Sequence, residues 1–493
     1  MYESFLKKLK TILSSENVFT DPETLEKYSK DQSFVSPCKP DFIVFVKNVK
    51  EIQEVVVFAN GHKIPIIPFS SGQNFHGATI PNHGGLILDM SKMNKIIEID
   101  QRNRFAVIEP GVTYTQLQEE LIKRGFRIMV PLGVPPTRSV LSSRIEKDPV
   151  LAAASFEYGN DLFMDTEIVL PSGELFRTGS WSVSKNAVGG PLGPVSMLIY
   201  RLWMASQGTL GILTKMVVKI ENLSKTNKVF FLPFDRIEDT IEPIQRIQRL
   251  ELGMECFALS SFNLAAILTR DWAIPENFPC EKTVSSEFES LRERLPKWTL
   301  IVCLSGLPYF PKEKIAYEEA DLKDVCLEVD LEPSSTVATI KGLGETIQKE
   351  LLHPWGILKK FRYKGSVHDV SFYSPLNKVS RFNAFIRELA DKHGYATENI
   401  GGYMLTIERG RSAYCEFDYY CDLDDPEETE QVKKLWLETY KTLADGGAFL
   451  AKLYGPIAEI VYRQTASTYI EKLRQLKEEL DPNNIMNPGK LCF

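Results

Sequence analysis

The stretch Pro68-Phe69-Ser70-Ser71-Gly72-Gln73-Asn74-Phe75-His76-Gly77 puts small hydroxyl side chains and two glycines directly after an apolar run. Such a loop can turn successive backbone N–H groups inward and form a nest for an anion. Pyrophosphate is the natural guest, because several donors then share its charge; a plain turn between strands is the alternative, since Gly and Ser are ordinary turn residues. Ser70, Ser71, Gly72, Gln73, Asn74, Phe75, His76 and Gly77 are therefore candidate cofactor-binding residues. The spacing is not GxGxxG and no helix clearly follows, so a Rossmann site is not signalled. His76 adds a group that can give or take a proton near neutral pH, or cap a loop carbonyl.

A second constellation lies at Arg409–Tyr420. Read as a strand, it alternates faces and places Tyr414, Glu416, Asp418 and Tyr420 together. Carboxylates and phenols on one face can furnish a site for proton and hydride removal, which makes Tyr414 and Glu416 catalytic candidates; a solvated strand face is the alternative. Arg409 and Arg411 can pair with an anionic substrate or cofactor atom, or with Glu408 and Glu416. Of the two, Arg411 is the catalytic candidate. Metal chemistry has no comparable signal: His353, His368 and His393 stand singly, and none of the eight cysteines forms a CxxC.

These residues need elements to hold them. Asp41–Val46, Lys63–Pro68, Gly85–Met90, Ile96–Asp100, Phe105–Glu109, Met164–Leu170, Leu175–Thr178 and Thr209–Glu221 read as strands. Val49–Asn60 and Thr113–Arg124 read as helices between them. Together they predict an α+β domain over residues 1–224. Beyond it the texture shifts to helices at Ile237–Leu250, Val379–Lys392 and Glu427–Leu443 and a strand pair within Tyr403–Cys421, giving a second domain over 225–450. A C-terminal segment, 451–493, carries an amphipathic helix at Ser467–Leu480 that Asp481-Pro482 stops. With 493 residues, two domains are the expectation. The net charge of -7 argues against a nucleic-acid partner. The apolar region Val195–Leu213 contains Arg201, Gln207, Gly208 and Gly211, which predicts a buried helix and turn rather than a membrane span. A charged N-terminus and scattered cysteines predict a cytoplasmic protein with reduced thiols.

Further landmarks occur in order. They are Pro81-Asn82-His83-Gly84-Gly85-Leu86-Ile87-Leu88-Asp89-Met90-Ser91-Lys92-Met93, then Glu109-Pro110-Gly111-Val112-Thr113, Leu170-Pro171-Ser172-Gly173-Glu174, Ser206-Gln207-Gly208-Thr209-Leu210-Gly211-Ile212-Leu213-Thr214, and the closing Asp481-Pro482-Asn483-Asn484-Ile485-Met486-Asn487-Pro488-Gly489-Lys490. With the Ser/Gly loop, this series resembles the vanillyl-alcohol oxidase and p-cresol methylhydroxylase flavoprotein superfamily. The resemblance implies an α+β, two-domain FAD-binding fold with an α+β substrate (cap) domain, and FAD as cofactor. It implies FAD contacts from the loop and from Pro136, Ser142, Ser143, Gly211, Ile212 and Lys490. Asn74 stands where one branch carries a flavin-linking His, so a covalent bond through this loop is not expected; Tyr414 is the candidate for such a bond from the second domain. His76 falls near a substrate-binding Tyr, and Lys452 and Tyr454 near a Tyr-Arg pair, which makes Tyr454 a catalytic candidate. Val130-Pro131-Leu132-Gly133-Val134-Pro135-Pro136 departs from the family's PDLGG acid.

The implied activity is hydride removal from an alcohol, phenol or hydroxymethyl substrate to flavin, with electrons passed to an external acceptor. Oxygen, a small acceptor or a separate redox protein (cytochrome or iron–sulfur protein) can fill that role, and oligomeric state is open. The alternatives are a 2-hydroxy-acid dehydrogenase of the lactate/glycolate type and a flavin electron-transfer subunit without its own substrate.

Overall fold

The computed structural model describes every residue except 1, 74, 155–161, 184–196 and 307. Asn74 therefore lies outside the described residues.

The first sheet joins β1 (Val18–Phe19), β2 (Phe42–Phe45), β3 (Ile66–Phe69) and β4 (Leu86–Asp89) in the order β1-β2-β4-β3. β2 and β3 both run parallel to β4. Parallel strands are covered on both faces, which is why Ile43, Val44, Ile66, Ile67, Ile87 and Leu88 read as unbroken apolar runs and are all buried. The helix Val49–His62 covers one face with Ile52, Val55, Val56 and Ala59; its first turn is fixed by Asn48, whose side chain accepts from the Glu51 N–H.

The second sheet is antiparallel. β5 (Ile96–Asp100), β6 (Phe105–Ile108), β8 (Phe163–Val169), β9 (Leu175–Arg177) and β10 (Ile212–Lys219) are ordered β5-β6-β10-β8-β9. A small ladder pairs β7 (Phe126–Arg127) with β11 (Glu221–Asn222). The segment before β10 differs from the expected buried helix. Among the described residues it is a 3₁₀ turn, Ile199–Trp203, with Met197, Leu198 and Leu202 exposed. Two left-handed glycines, Gly208 and Gly211, then delay the strand to Ile212.

The third sheet has six antiparallel strands: β12 (Thr226–Phe234), β13 (Glu255–Ser260), β14 (Trp298–Gly306), β15 (Ser366–Ser374), β16 (Gly401–Ile407) and β17 (Ser412–Cys421), in the order β12-β14-β13-β16-β17-β15. Phe372, Cys415, Phe417 and Tyr419 point to a core shared with the helices Val379–Lys392 and Pro426–Asp445. The other face carries the polar row. Asp418 pairs across to Asp369 on β15, and Glu416 pairs to Tyr403 on β16. Two acids directly opposite each other repel, so this face needs a cation.

The chain then returns to the first sheet. The Ile66 N–H donates to the Ile485 carbonyl, and the Asn487 N–H donates to the Ile66 carbonyl. The turn that ends the helix Ser467–Leu480 is held by Lys477, whose ammonium bonds Asp481 Oδ2 at 2.6 Å and the carbonyls of Thr209 and Met486.

Candidate active site and flavin groove

β3 delivers the chain into the Ser/Gly loop, and Gly72 takes φ +65°, a conformation L side chains avoid. Ser70, Ser71, Gly72 and Gln73 line a groove whose opposite wall is Ser142, Gln207, Gly208, Gly211 and Ile212. The hydroxyls of Ser70 and Ser142 meet at 2.5 Å, and the Ser71 hydroxyl accepts from the Ser139 N–H at 3.0 Å. Two buried polar atoms at the groove have no partner among the described residues: Gln207 Oε1 and Arg138 Nε. Orphaned buried polar groups are costly unless a ligand meets them. An anionic, hydrogen-bonding dinucleotide fits this donor and acceptor set. Glu146 also lines the groove, but burial pushes its carboxyl up to about 7, which weakens its repulsion of an anion below that pH.

Gln73 and Arg138 are common to this groove and to a second cleft. Phe75 and His76 line it from the loop, Pro131 and Pro135 from the first domain, and Lys360, Asp369, Tyr403, Tyr414, Glu416, Asp418, Lys452 and Tyr454 from the rest of the chain. His76 Nε2 lies 2.8 Å from Asp369 Oδ1, and its ring stacks on Tyr454 with centroids 4.9 Å apart. Lys360 sits on the 3₁₀ helix Gly356–Tyr363 and supplies the cation that the acidic face needs. Its ammonium lies 2.8 Å from both oxygens of Asp418 and 3.4 Å from Glu416 Oε1. The Tyr414 hydroxyl donates to Glu416 Oε2 at 2.7 Å.

Burial raises the Glu416 carboxyl above its ordinary range, and Asp418 and Asp369 add to this while Lys360 and Lys452 oppose it. Asp369 goes the other way. Burial disfavours its charge, yet His76 and Lys452 hold it well below the usual carboxylate range. For Lys360 and Lys452 burial disfavours the ammonium, but facing carboxylates outweigh it and keep both pKa values raised. Burial, with Glu416 nearby, raises the phenols of Tyr403 and Tyr414 well above 10.

Several expected site residues sit elsewhere. Arg411 is in the exposed turn before β17, because the strand begins only at Ser412, so it does not reach the cleft; Arg409 is exposed and pairs with Glu251. Gly77 gives its N–H to Asp31 and its carbonyl to Lys490, and so faces away from the groove. Lys490 bonds the Gly77 and Ile80 carbonyls, bracing the loop from behind rather than lining the groove. Ser143 is turned to the core, where it accepts from the Tyr114 hydroxyl. The Pro136 carbonyl accepts from Thr115, outside both cavities. Residues the sequence reading did not single out are Arg138, Asp148, Lys360, Asp369 and Tyr403. Neither β15 nor β16 alternates polar and apolar residues, so only the strand register, which puts Asp369 and Tyr403 on the β17 face, reveals them.

Comparison with known proteins gives the family. Residues 40–179 match the FAD binding domain family, and residues 356–491 match the C-terminal domain family of FAD linked oxidases. The chain belongs to the vanillyl-alcohol oxidase/p-cresol methylhydroxylase family of FAD-linked oxidoreductases. It is an enzyme of the FAD-linked oxidase/dehydrogenase type, with FAD as cofactor. It is 23% identical to glycolate oxidase subunit GlcD of Bacillus subtilis (strain 168), over 94% of this chain and 91% of that protein. It is also 23% identical to the 4-cresol dehydrogenase [hydroxylating] flavoprotein subunit of Pseudomonas putida, over 99% and 95%. A crystal structure of p-cresol methylhydroxylase with substrate bound superposes with a TM-score of 0.82 at 21% identity, covering 100% of this chain and 97% of the other. Among the described residues, no helix is long and apolar enough to cross a membrane.

Proposed function

We propose that this flavoprotein removes a hydride from an alcohol, phenol or hydroxymethyl substrate and passes the electrons to an external acceptor. The observation that carries the reading is the single face of the third sheet, which puts Tyr403, Tyr414, Glu416, Asp418 and Asp369 into the cleft where the flavin groove ends. Bound FAD supplies the hydride acceptor there. The protein supplies the rest. Phe75, Phe361 and the three tyrosines give an aromatic wall for a ring-bearing substrate. The Tyr403 hydroxyl, buried and unpartnered among the described residues, is placed to bond a substrate oxygen. Lys452 provides positive charge for a developing oxyanion, and Glu416 a carboxylate to take the hydroxyl proton. His76, Tyr414 and Tyr454 complete the proposed catalytic set; Ser70, Ser71, Gly72, Gln73, Ser142, Gly211 and Ile212 the proposed flavin contacts.

A 2-hydroxy acid is the second reading. Arg138, 6% exposed and with an unpaired Nε, could hold a carboxylate at the same cleft. Anaerobic mixing of the holoprotein with 4-alkylphenols, benzylic alcohols and 2-hydroxy acids separates the two: bleaching by a phenol or alcohol is expected, bleaching by 2-hydroxy acids alone would install the second reading, and bleaching by none would leave an electron-transfer subunit. Colour retained after acid precipitation would support a covalent bond at Tyr414. The proposal includes a division at 1–224, 225–450 and 451–493, a cytoplasmic setting, and a separate redox protein as acceptor, in line with a relative named as a flavoprotein subunit.

A further inference from the structure

Three buried carboxylates face the cleft, and their surroundings distinguish them. Both oxygens of Asp418 are bound by Lys360, and Oδ2 also accepts from Asn263 Nδ2 at 3.1 Å; its side chain is fully buried. Asp369 is committed to His76 through Oδ1 and faces Lys452 at 3.9 Å through Oδ2. The His76 ring and the Lys452 ammonium hold its carboxyl well below the usual range and thus make it a poor proton acceptor. Glu416 differs from both. Its side chain keeps 15% exposure, one oxygen accepts only the Tyr414 hydroxyl among the described residues, and the other lies at the longer 3.4 Å from Lys360.

We propose that Lys360 is a positioning residue for proton transfer: anchored on Asp418, it holds Glu416 ionised beside the reacting atoms, and so sets the pH above which Glu416 takes the substrate's hydroxyl proton. This rests on the functional reading above. As the substrate's C–H bond breaks, its electron pair and hydrogen leave together as hydride to the flavin. The O–H bond breaks as well, its proton forms a new O–H on Glu416 directly or through Tyr414, and the oxygen electrons complete the C=O bond. Lys360 exchanges no proton in the step.

The charge inventory gives the direction. Glu416 is faced by Lys360 from the 3₁₀ helix, by Tyr414 and Asp418 from its own strand, by Tyr403 from β16, by Asp369 and Tyr373 from β15, and by Lys452 from the returning segment, with His76 beyond Asp369. Lys360 is the largest of the influences that favour the ionised carboxylate, against burial and the two aspartates. Asp418 contributes twice: it disfavours the Glu416 charge itself, and it keeps the buried ammonium protonated. A Cβ at Gly401 would lie 2.6 Å from Asp418 Oδ2 and 2.7 Å from Asn263 Oδ1, so a glycine there lets β16 close over the pair.

The test is a pH titration of the full-length holoprotein by difference infrared spectroscopy, following the buried carboxylic C=O band assigned to Glu416 by its loss in Glu416→Gln. In Lys360→Met the protonated band should persist to higher pH, by on the order of one pH unit, and Lys360→Arg should restore most of the difference. Because Lys360→Met leaves Asp418 unpaired, the double variant Lys360→Met/Asp418→Asn guards against a folding failure. It loses one group of each sign and should shift the band less than Lys360→Met. With a substrate that bleaches the flavin, the alkaline-rising limb of the reduction rate should move with the band. A band that stays put in Lys360→Met and in the double variant, or a rate that falls equally at every pH, overturns the proposal. If no hydroxyl compound bleaches the wild-type flavin, the functional reading fails instead, and the band alone decides whether Lys360 controls Glu416.

Discussion

Tyr403 is 2% exposed, and its hydroxyl has no hydrogen-bond partner among the described residues. A buried unsatisfied hydroxyl costs about 1–3 kcal/mol, so Tyr403→Phe should leave thermal stability unchanged or raise it. The same change removes a donor from the cleft, and kcat/KM for flavin reduction should fall about 10- to 100-fold, the equivalent of one hydrogen bond to a developing charge. A variant that is less stable yet equally active would refute that role. Gly72 and Ser143 form a contrasting pair. A Cβ at Gly72 would lie 2.3 Å from the Phe69 ring in a left-handed conformation, so Gly72→Val should abolish flavin retention, read from the visible absorbance of the purified protein. Ser143→Ala removes only the acceptor of the buried Tyr114 hydroxyl. It should cost about 1 kcal/mol in denaturant unfolding while the yellow colour stays. Sequence treated these two residues alike, because neighbourhood along the chain does not report which way a side chain turns: Ser142 faces the groove and Ser143, one residue on, faces the core.

At the scale of the element, β15 links the cleft to the core through adjacent residues. Asp369 faces the cleft, and His368 points the other way, stacked on Phe34 at 3.8 Å. Ser366 gives its hydroxyl proton to the Cys421 carbonyl, so its oxygen accepts from His368 Nε2 at 3.2 Å. Burial pushes the His368 pKa down to about 3. The unfolded chain binds this proton near pH 6.5 and the folded chain does not. The stabilisation is therefore complete above about 6.5 and is lost as pH falls toward 3, at about 1.4 kcal/mol per pH unit below the unfolded value. Relative to His368→Gln, the wild type should therefore lose about 2 kcal/mol in urea unfolding between pH 6.5 and 5. Asp369 contributes only below the ordinary carboxylate range, whereas the Glu146 and Glu350 carboxyls, raised to about 7 by burial, take up protons in the folded chain over this interval and oppose the loss, so the difference from His368→Gln, not the wild-type curve, isolates the histidine. The sequence revealed β17 because its tyrosines and acids alternate strictly. It hid β15, where Ser366, His368, Asp369, Ser371 and Ser374 put polar residues on both faces. The Asp369 carboxylate is met by His76, distant in sequence, and the backbone of Asp369 and Ser371 by Trp436 and Tyr440 from the helix Pro426–Asp445. Elements whose pattern closes locally, such as the helices Val49–His62 and Ser467–Leu480, were legible nearly to the residue.

Across the whole molecule, the site exists only where the two halves meet, so whatever joins them governs both stability and chemistry. The His76–Asp369 contact and the bond from Gln207 Nε2 to the Leu453 carbonyl cross at the cleft. A third link lies apart from it. Arg127 on β7 and Glu255 on β13 meet at 2.8 Å, 3% and 1% exposed. Charges this deep gain little over an apolar pair of the same shape, because desolvation offsets their attraction; removing one partner strands the other. Arg127→Met and Glu255→Met should each therefore destabilise the apoprotein by about 3–5 kcal/mol. Arg127→Met/Glu255→Met should recover most of that loss, a strong non-additivity measurable by denaturant unfolding. Saturating FAD should stabilise all these variants alike, by about 2.7 kcal/mol at 100 times its dissociation constant, because none touches the groove. If the single losses simply add in the double variant, the two halves are not coupled through this pair, and the contacts at the cleft, with others such as the bond from Gln118 Nε2 to the Leu352 carbonyl, hold the substrate face against the flavin.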